Sequence, residues 1–72
     1  MSEVVFRVTL DNNFVGFFMF QRWGEAQKEA ASYYNEKHGT NLSWTCFEAK
    51  WISPKLYDSY GIDINEIKSK KE

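Results

Sequence analysis

Residues 10–20 read LDNNFVGFFMF: Leu10, a polar triplet of Asp11, Asn12 and Asn13, then four phenylalanines and a methionine within the seven positions 14–20. Upstream, EVVFRVTL over residues 3–10 alternates, with Val4, Phe6, Val8 and Leu10 on one parity and Val5, Arg7 and Thr9 on the other. Such alternation marks a half-buried strand. Asparagine tolerates the positive φ that tight turns demand, so the polar triplet predicts a hairpin in which residues 14–20 fold back on 3–10.

The length and position of the loop decide which aromatics face the core, because a slip of one residue reverses every side chain. A two-residue loop at Asn12-Asn13 sets Val15, Phe17 and Met19 beside Val4, Phe6, Val8 and Leu10, leaving Phe14, Phe18 and Phe20 with Arg7 and Thr9. A three-residue loop places Gly16 opposite Val8 and turns Val15, Phe17 and Met19 to the polar side. Both registers remain open at this point. In either, a ring or thioether faces the side that the first strand marks as outward.

Further along, GEAQKEAASYYNEKHG predicts a helix over 24–38, with Trp23, Ala26, Ala30, Tyr33 and Tyr34 as its apolar stripe and Gly39 as a left-handed stop. Alanines at its centre permit close approach to a sheet. LSWTCFEAKWI, 42–52, predicts a third strand whose parity slips between Leu42-Trp44-Cys46 and Phe47-Ala49-Trp51. A bulge near Cys46-Phe47, or cover on both faces, accounts for the slip. Ser53-Pro54 opens a short helix through Tyr60, ended by Gly61. Asp63 then caps a second one, with Glu66 three residues on and Ile62 placed to pack on Ile67. The whole is one α+β domain over 1–72: a ββαβ core at 3–52 with strand order 2-1-3, and a helical segment at 54–72. The first strand is central, the aromatic strand lies at an edge, and the crossover through the long helix carries the usual right-handed preference.

Composition narrows function. The chain has nine Lys and Arg against ten Asp and Glu, a net charge of −1, and no segment carries the basic excess of a phosphate-backbone binder. No apolar run approaches the roughly 18 residues of a membrane span, and the amino terminus lacks a leader pattern. Cys46 is the sole cysteine, so an intrachain disulfide is impossible and a reducing compartment, the cytoplasm, is expected.

Catalytic chemistry finds little to work with. Nucleophilic catalysis would require Cys46 with His38, the only members of their kinds, and nothing in their spacing joins them. Cys46 is expected as a buried structural thiol, and His38 as a helix-end residue favoured by the macrodipole. One His and one Cys make a poor metal set. Glu25 and Glu29 alternate with Lys28 on the helix's polar side as a solvated face, and the four scattered glycines form no phosphate cradle. The expectation is a non-enzyme without cofactor or metal.

Aromatic content of 18% is more than so small a core is expected to hide, and this points to binding. The expected contact residues are Arg7, Phe14, Phe18 and Phe20, with Phe47 and Trp51, since rings, Met and Arg are enriched at interface centres. The expected partner is a protein, either a different one or a second copy in a homodimer. A single-stranded nucleic-acid platform built on Phe14, Phe18, Phe20 and Arg7 is the alternative, but it lacks a basic groove. The competing account has these rings covered by the C-terminal helices through Leu56, Tyr57, Tyr60, Ile64 and Ile67.

In topology and size, the hairpin VVFRVTLDNNFVGFFMF, the helix GEAQKEAASYYNEKHG and the closing strand LSWTCFEAKWI resemble small tailed-phage proteins that bind host enzymes, such as inhibitors of bacterial RNA polymerase or antitoxin-like factors. The likeness covers residues 3–52 and matches no functional residue. It implies a stoichiometric blocker acting in a host cytoplasm.

Overall fold

The structure, a computed structural model, describes residues 3–71. Strands β1 (Val4–Leu10) and β2 (Asn13–Phe20) form the hairpin, followed by helix α1 (Trp23–His38) and strand β3 (Phe47–Trp51). Two short helices close the chain, α2 (Tyr57–Tyr60) and α3 (Ile64–Lys71), and single 3₁₀ turns occupy Trp44–Cys46 and Pro54–Leu56. The sheet order is β2-β1-β3, with β1 antiparallel to both neighbours. This is the expected α+β arrangement, and it leaves β2 at an edge.

The hairpin turns on Asp11 and Asn12, whose φ values of 50° and 66° are both positive. Two successive left-handed residues define a type I′ turn, whose twist matches that of paired strands. The loop thus has two residues, one position before the two-residue alternative at Asn12-Asn13 and one residue shorter than the other alternative, closing on Leu10 opposite Asn13 and Thr9 opposite Phe14. Val15 then has no partner, and pairing resumes with Val8 opposite Gly16, Phe6 opposite Phe18 and Val4 opposite Phe20. From Gly16 onward that one-residue bulge gives the face assignment of a three-residue loop, while Phe14 stays on the side of Thr9, as in a two-residue loop. Phe18 and Phe20 consequently lie on the α1 side with Phe6 and Val4, while Phe17 and Met19 join Arg7 and Val5 on the opposite face.

Helix α1 covers the first face with small residues. Ala26, Gln27, Ala30 and Ala31 are its buried positions, and the three alanines pack with Phe6, Val8 and Phe47 into the main core cluster. Its stripe is rotated from the expected one: Trp23 is 60% exposed and Tyr33 is also exposed. A polar anchor accounts for the rotation, since the Gln27 side-chain amide donates to the Phe47 carbonyl and swings that side of the helix over β3. Gln27 Oε1 is buried without a hydrogen-bond partner among the described residues.

The third strand is shorter than its sequence suggests. Residues 42–46 are held in a loop by polar bonds: Asn35 Oδ1 accepts from the Leu42 amide at 2.9 Å and from Thr40 Oγ1 at 2.8 Å. Asn35 Nδ2 donates to the Leu42 carbonyl at 2.9 Å, and Ser43 Oγ accepts from the Thr45 amide at 3.3 Å. Side chains that bond local backbone compete with strand pairing, and here they win until Phe47. The parity slip marks the junction between a 3₁₀ turn and a strand, not a bulge within one. Cys46, expected buried, sits in that turn and is exposed.

The C-terminal segment covers part of the second face. Gly39 and Gly61 take the left-handed conformation at φ 64° and 68° and stop α1 and α2. Asp63 Oδ1 accepts from the Asn65 and Glu66 amides at 3.0 and 3.4 Å, the N-cap expected from the sequence. Tyr57 accepts at its hydroxyl from the Val5 amide at 3.4 Å, and the Ile52 amide donates to the Val5 carbonyl at 2.9 Å. Val5, Met19 and Ile52 are buried here, separate from the cluster under α1. The sheet is therefore covered on both faces at this end.

Candidate protein-binding surface

The expected contact residues divide among three places. Arg7 and Phe14 stand together on the second face, with the guanidinium 5.3 Å from the ring centroid; Phe14 is 53% exposed. The contact chain continues from Phe14 to Phe17 at 5.0 Å and from Phe17 to Tyr60 at 6.1 Å. Phe18 and Phe20 lie on the other face, half-buried beside α1, with Phe18 edge-on to Tyr33 at 6.0 Å. Gly16 makes room for that ring: a Cβ there would stand 3.3 Å from Phe18 Cζ. On the far edge strand, Trp51 is 53% exposed, whereas Phe47 is 2% exposed and belongs to the core.

No single platform therefore unites Arg7 with Phe14, Phe18 and Phe20, because the bulge at Val15 sends the last two through to the opposite face. What gathers the strand's aromatics is its edge. A groove of about 400 Å³ runs along β2, lined by every residue from Phe14 to Phe20. Glu29 and Tyr33 of α1 form one wall; Gly61, Ile62, Asp63, Glu66 and Ile67, around the start of α3, form the other. Rings from both faces of the sheet thus border one channel whose floor is the strand itself.

The lining residues that the contact-residue expectation missed include Phe17, Tyr33, Ile62 and Ile67. Phe17 was hidden by the register, and Tyr33 by its place in the assumed buried stripe. Tyr60, one of the residues expected to cover Phe14, Phe18 and Phe20, meets Phe17 instead, while Phe18 and Phe20 lie beside α1.

Elsewhere the second face is polar. Arg7, Thr9, Asn12, Glu48 and Lys50 surround a shallow depression of about 180 Å³, and Arg7 lies directly opposite Lys50. His38 ends α1 with its ring 4.3 Å from that of Tyr34, as befits a helix-end residue. Glu25, Lys28 and Glu29 are exposed, the solvated face foreseen for them. Among the described residues no helix is long and apolar enough to cross a membrane, and no group of three His, Cys, Asp or Glu is placed to hold a metal. No protein-family model, curated protein or solved structure matches the chain.

Proposed function

We propose that this chain is a small non-catalytic domain that binds another protein along the outer edge of β2. The observation that carries the reading is the groove: an aromatic edge strand bordered by two helical walls, with Phe14 more than half exposed beside it. Edge strands invite pairing unless something blunts them, and rings with an adjacent Arg are the side chains that dominate interface energetics. The finer proposal draws on the resemblance in plan and size to phage proteins that bind host enzymes: the partner is a bacterial enzyme, and this chain blocks it by occupancy.

The test is affinity capture from bacterial lysate on the immobilised full chain, with Phe14→Asp and Trp51→Ser as variants. Both positions are exposed, and an aspartate at position 14 would stand beside Arg7, so both variants should keep the native circular dichroism. A single enriched protein should be retained by the parent chain and by Trp51→Ser, and lost at least tenfold by Phe14→Asp. Equal capture by Phe14→Asp would remove the β2 edge from the reading. Inhibition of the captured enzyme at one-to-one stoichiometry is the expected signature of a blocker.

A further inference from the structure

The open part of the second face carries an arrangement that neither the fold nor the β2 groove uses. The Ile52 amide donates to the Val5 carbonyl at 2.9 Å, so Val5, Arg7 and Thr9 are the β1 residues whose backbone groups bond towards β3. Arg7 and Lys50, aligned in that ladder, therefore take the wider of the two antiparallel pair spacings, about 5.5 Å between Cα atoms. Two cations stand directly opposite each other, which is unfavourable while nothing negative lies between them. Glu48, the one acid among the described residues that line the depression, sits a row along, opposite Thr9. Arg7 is half-buried and its guanidinium rests over the Phe14 ring at 5.3 Å, which steadies the charge in place. Among the described residues, no hydrogen bond or ion pair engages the side chains of Arg7, Thr9, Asn12, Glu48 or Lys50.

We infer that this depression binds a phosphate monoester, its oxygens received between Arg7 and Lys50. Four donors border the same space of about 180 Å³: a guanidinium, an ammonium, the Thr9 hydroxyl and the Asn12 amide. A phosphate monoester brings nearly two negative charges and three strong acceptor oxygens at neutral pH. The Arg7 fork meets two oxygens in parallel and Lys50 supplies a point charge, so the like-charge pair becomes two attractive contacts with one anion. A carboxylate brings one charge and two oxygens and leaves donors unused. Glu48 opposes every anion and keeps the affinity modest. Among the described residues, none lines both this depression and the groove along β2, so the two sites stand or fall separately.

Titration of the ¹⁵N-labelled full chain at low, constant ionic strength tests this, with capped phosphoserine and adenosine monophosphate as probes and acetate as the control anion. Both phosphates should shift the amides of Arg7, Thr9, Asn12 and Lys50 in one saturable process and bind at least fivefold more tightly than acetate. The tighter of the two names the source of the phosphate, a modified protein side chain or a nucleotide. Lys50→Met should weaken binding roughly fivefold, the scale of one exposed ion pair, and Glu48→Gln should strengthen it about threefold by the same reasoning. Lys28→Met, on the exposed side of α1, should leave it unchanged. All three positions are exposed, and circular dichroism checks that the variants keep the parent's fold. Equal binding of acetate, shifts spread evenly over the exposed lysines, or an affinity unaltered in Lys50→Met would each overturn the inference.

Discussion

At the scale of single residues, the fold is governed by a few polar groups whose partners are backbone. Gln27 is the clearest: its amide bonds the carbonyl of Phe47 where both are buried, tying α1 to the first residue of β3. Nothing in a helical periodicity argument ranks Gln27 above Trp23 for burial, since the preference arises from a carbonyl 20 residues away. Gln27→Ala would leave the Phe47 carbonyl unsatisfied beneath the helix, at a cost of about 1–3 kcal/mol. For 72 residues the whole stability is on the order of 4–11 kcal/mol, so the loss should appear as a large drop in urea midpoint with unchanged slope. Glu29→Ala, on the exposed side of the same helix, should move the midpoint by no more than the equivalent of about 0.5 kcal/mol. Similar midpoints for the two variants would show that the Gln27 bond does not hold the helix to the strand.

At the scale of elements, the boundaries set by backbone conformation were legible in the sequence, and those set by competition were not. Gly39, Gly61 and the Asp63 cap announce themselves because few residues tolerate a left-handed φ or supply a capping oxygen. The hairpin was legible for the same reason, from the triplet Asp11-Asn12-Asn13, although not which two of the three form the loop. Strand β3 was not: residues 42–46 carry apolar side chains with a strand-like look, but Asn35, seven residues before Leu42, satisfies both backbone groups of Leu42, and Ser43 takes the Thr45 amide. Nor did alternation reveal the bulge, because Phe14–Phe20 is apolar on both parities and gives no contrast from which to read a register. This also scattered the candidate site, putting Phe18 and Phe20 on the face away from Arg7. The bulge makes a sharp prediction. Deleting Val15 leaves the pairs on either side aligned, Thr9 with Phe14 and Val8 with Gly16, so the hairpin should keep its faces and lose only the packing of a half-buried valine, about 1–2 kcal/mol. Deleting Asn12 leaves too short a loop for that closure and should force re-pairing or unfolding. Cross-strand nuclear Overhauser contacts between Phe6 and Phe18 decide it: their disappearance in the Val15 deletion would mean that the bulge residue itself sets the register.

At the scale of the whole molecule, a three-stranded sheet gains a second hydrophobic layer from its own C-terminal segment. The radius of gyration is 11.8 Å, against about 11 Å for a compact chain of this length, so the short helices are packed on the sheet and not splayed from it. They bury Val5, Met19 and Ile52 while leaving the outer edge of β2 accessible between α1 and α3. The same segment thus completes the core and builds one wall of the groove. A chain ending at Gly61 would keep α1 and the sheet but lose α3, uncovering apolar side chains beside an unprotected edge, the arrangement that promotes strand pairing between molecules. Sedimentation velocity should then show association rising with concentration, accompanied by binding of a hydrophobic dye, while the full chain shows neither. If the shortened chain sediments as a monomer, binds no dye and melts at the same urea concentration as its parent, α3 contributes neither cover nor wall. The groove along β2 would then lose the wall that Asp63 and Ile67 line, and with it one side of the proposed protein-binding surface.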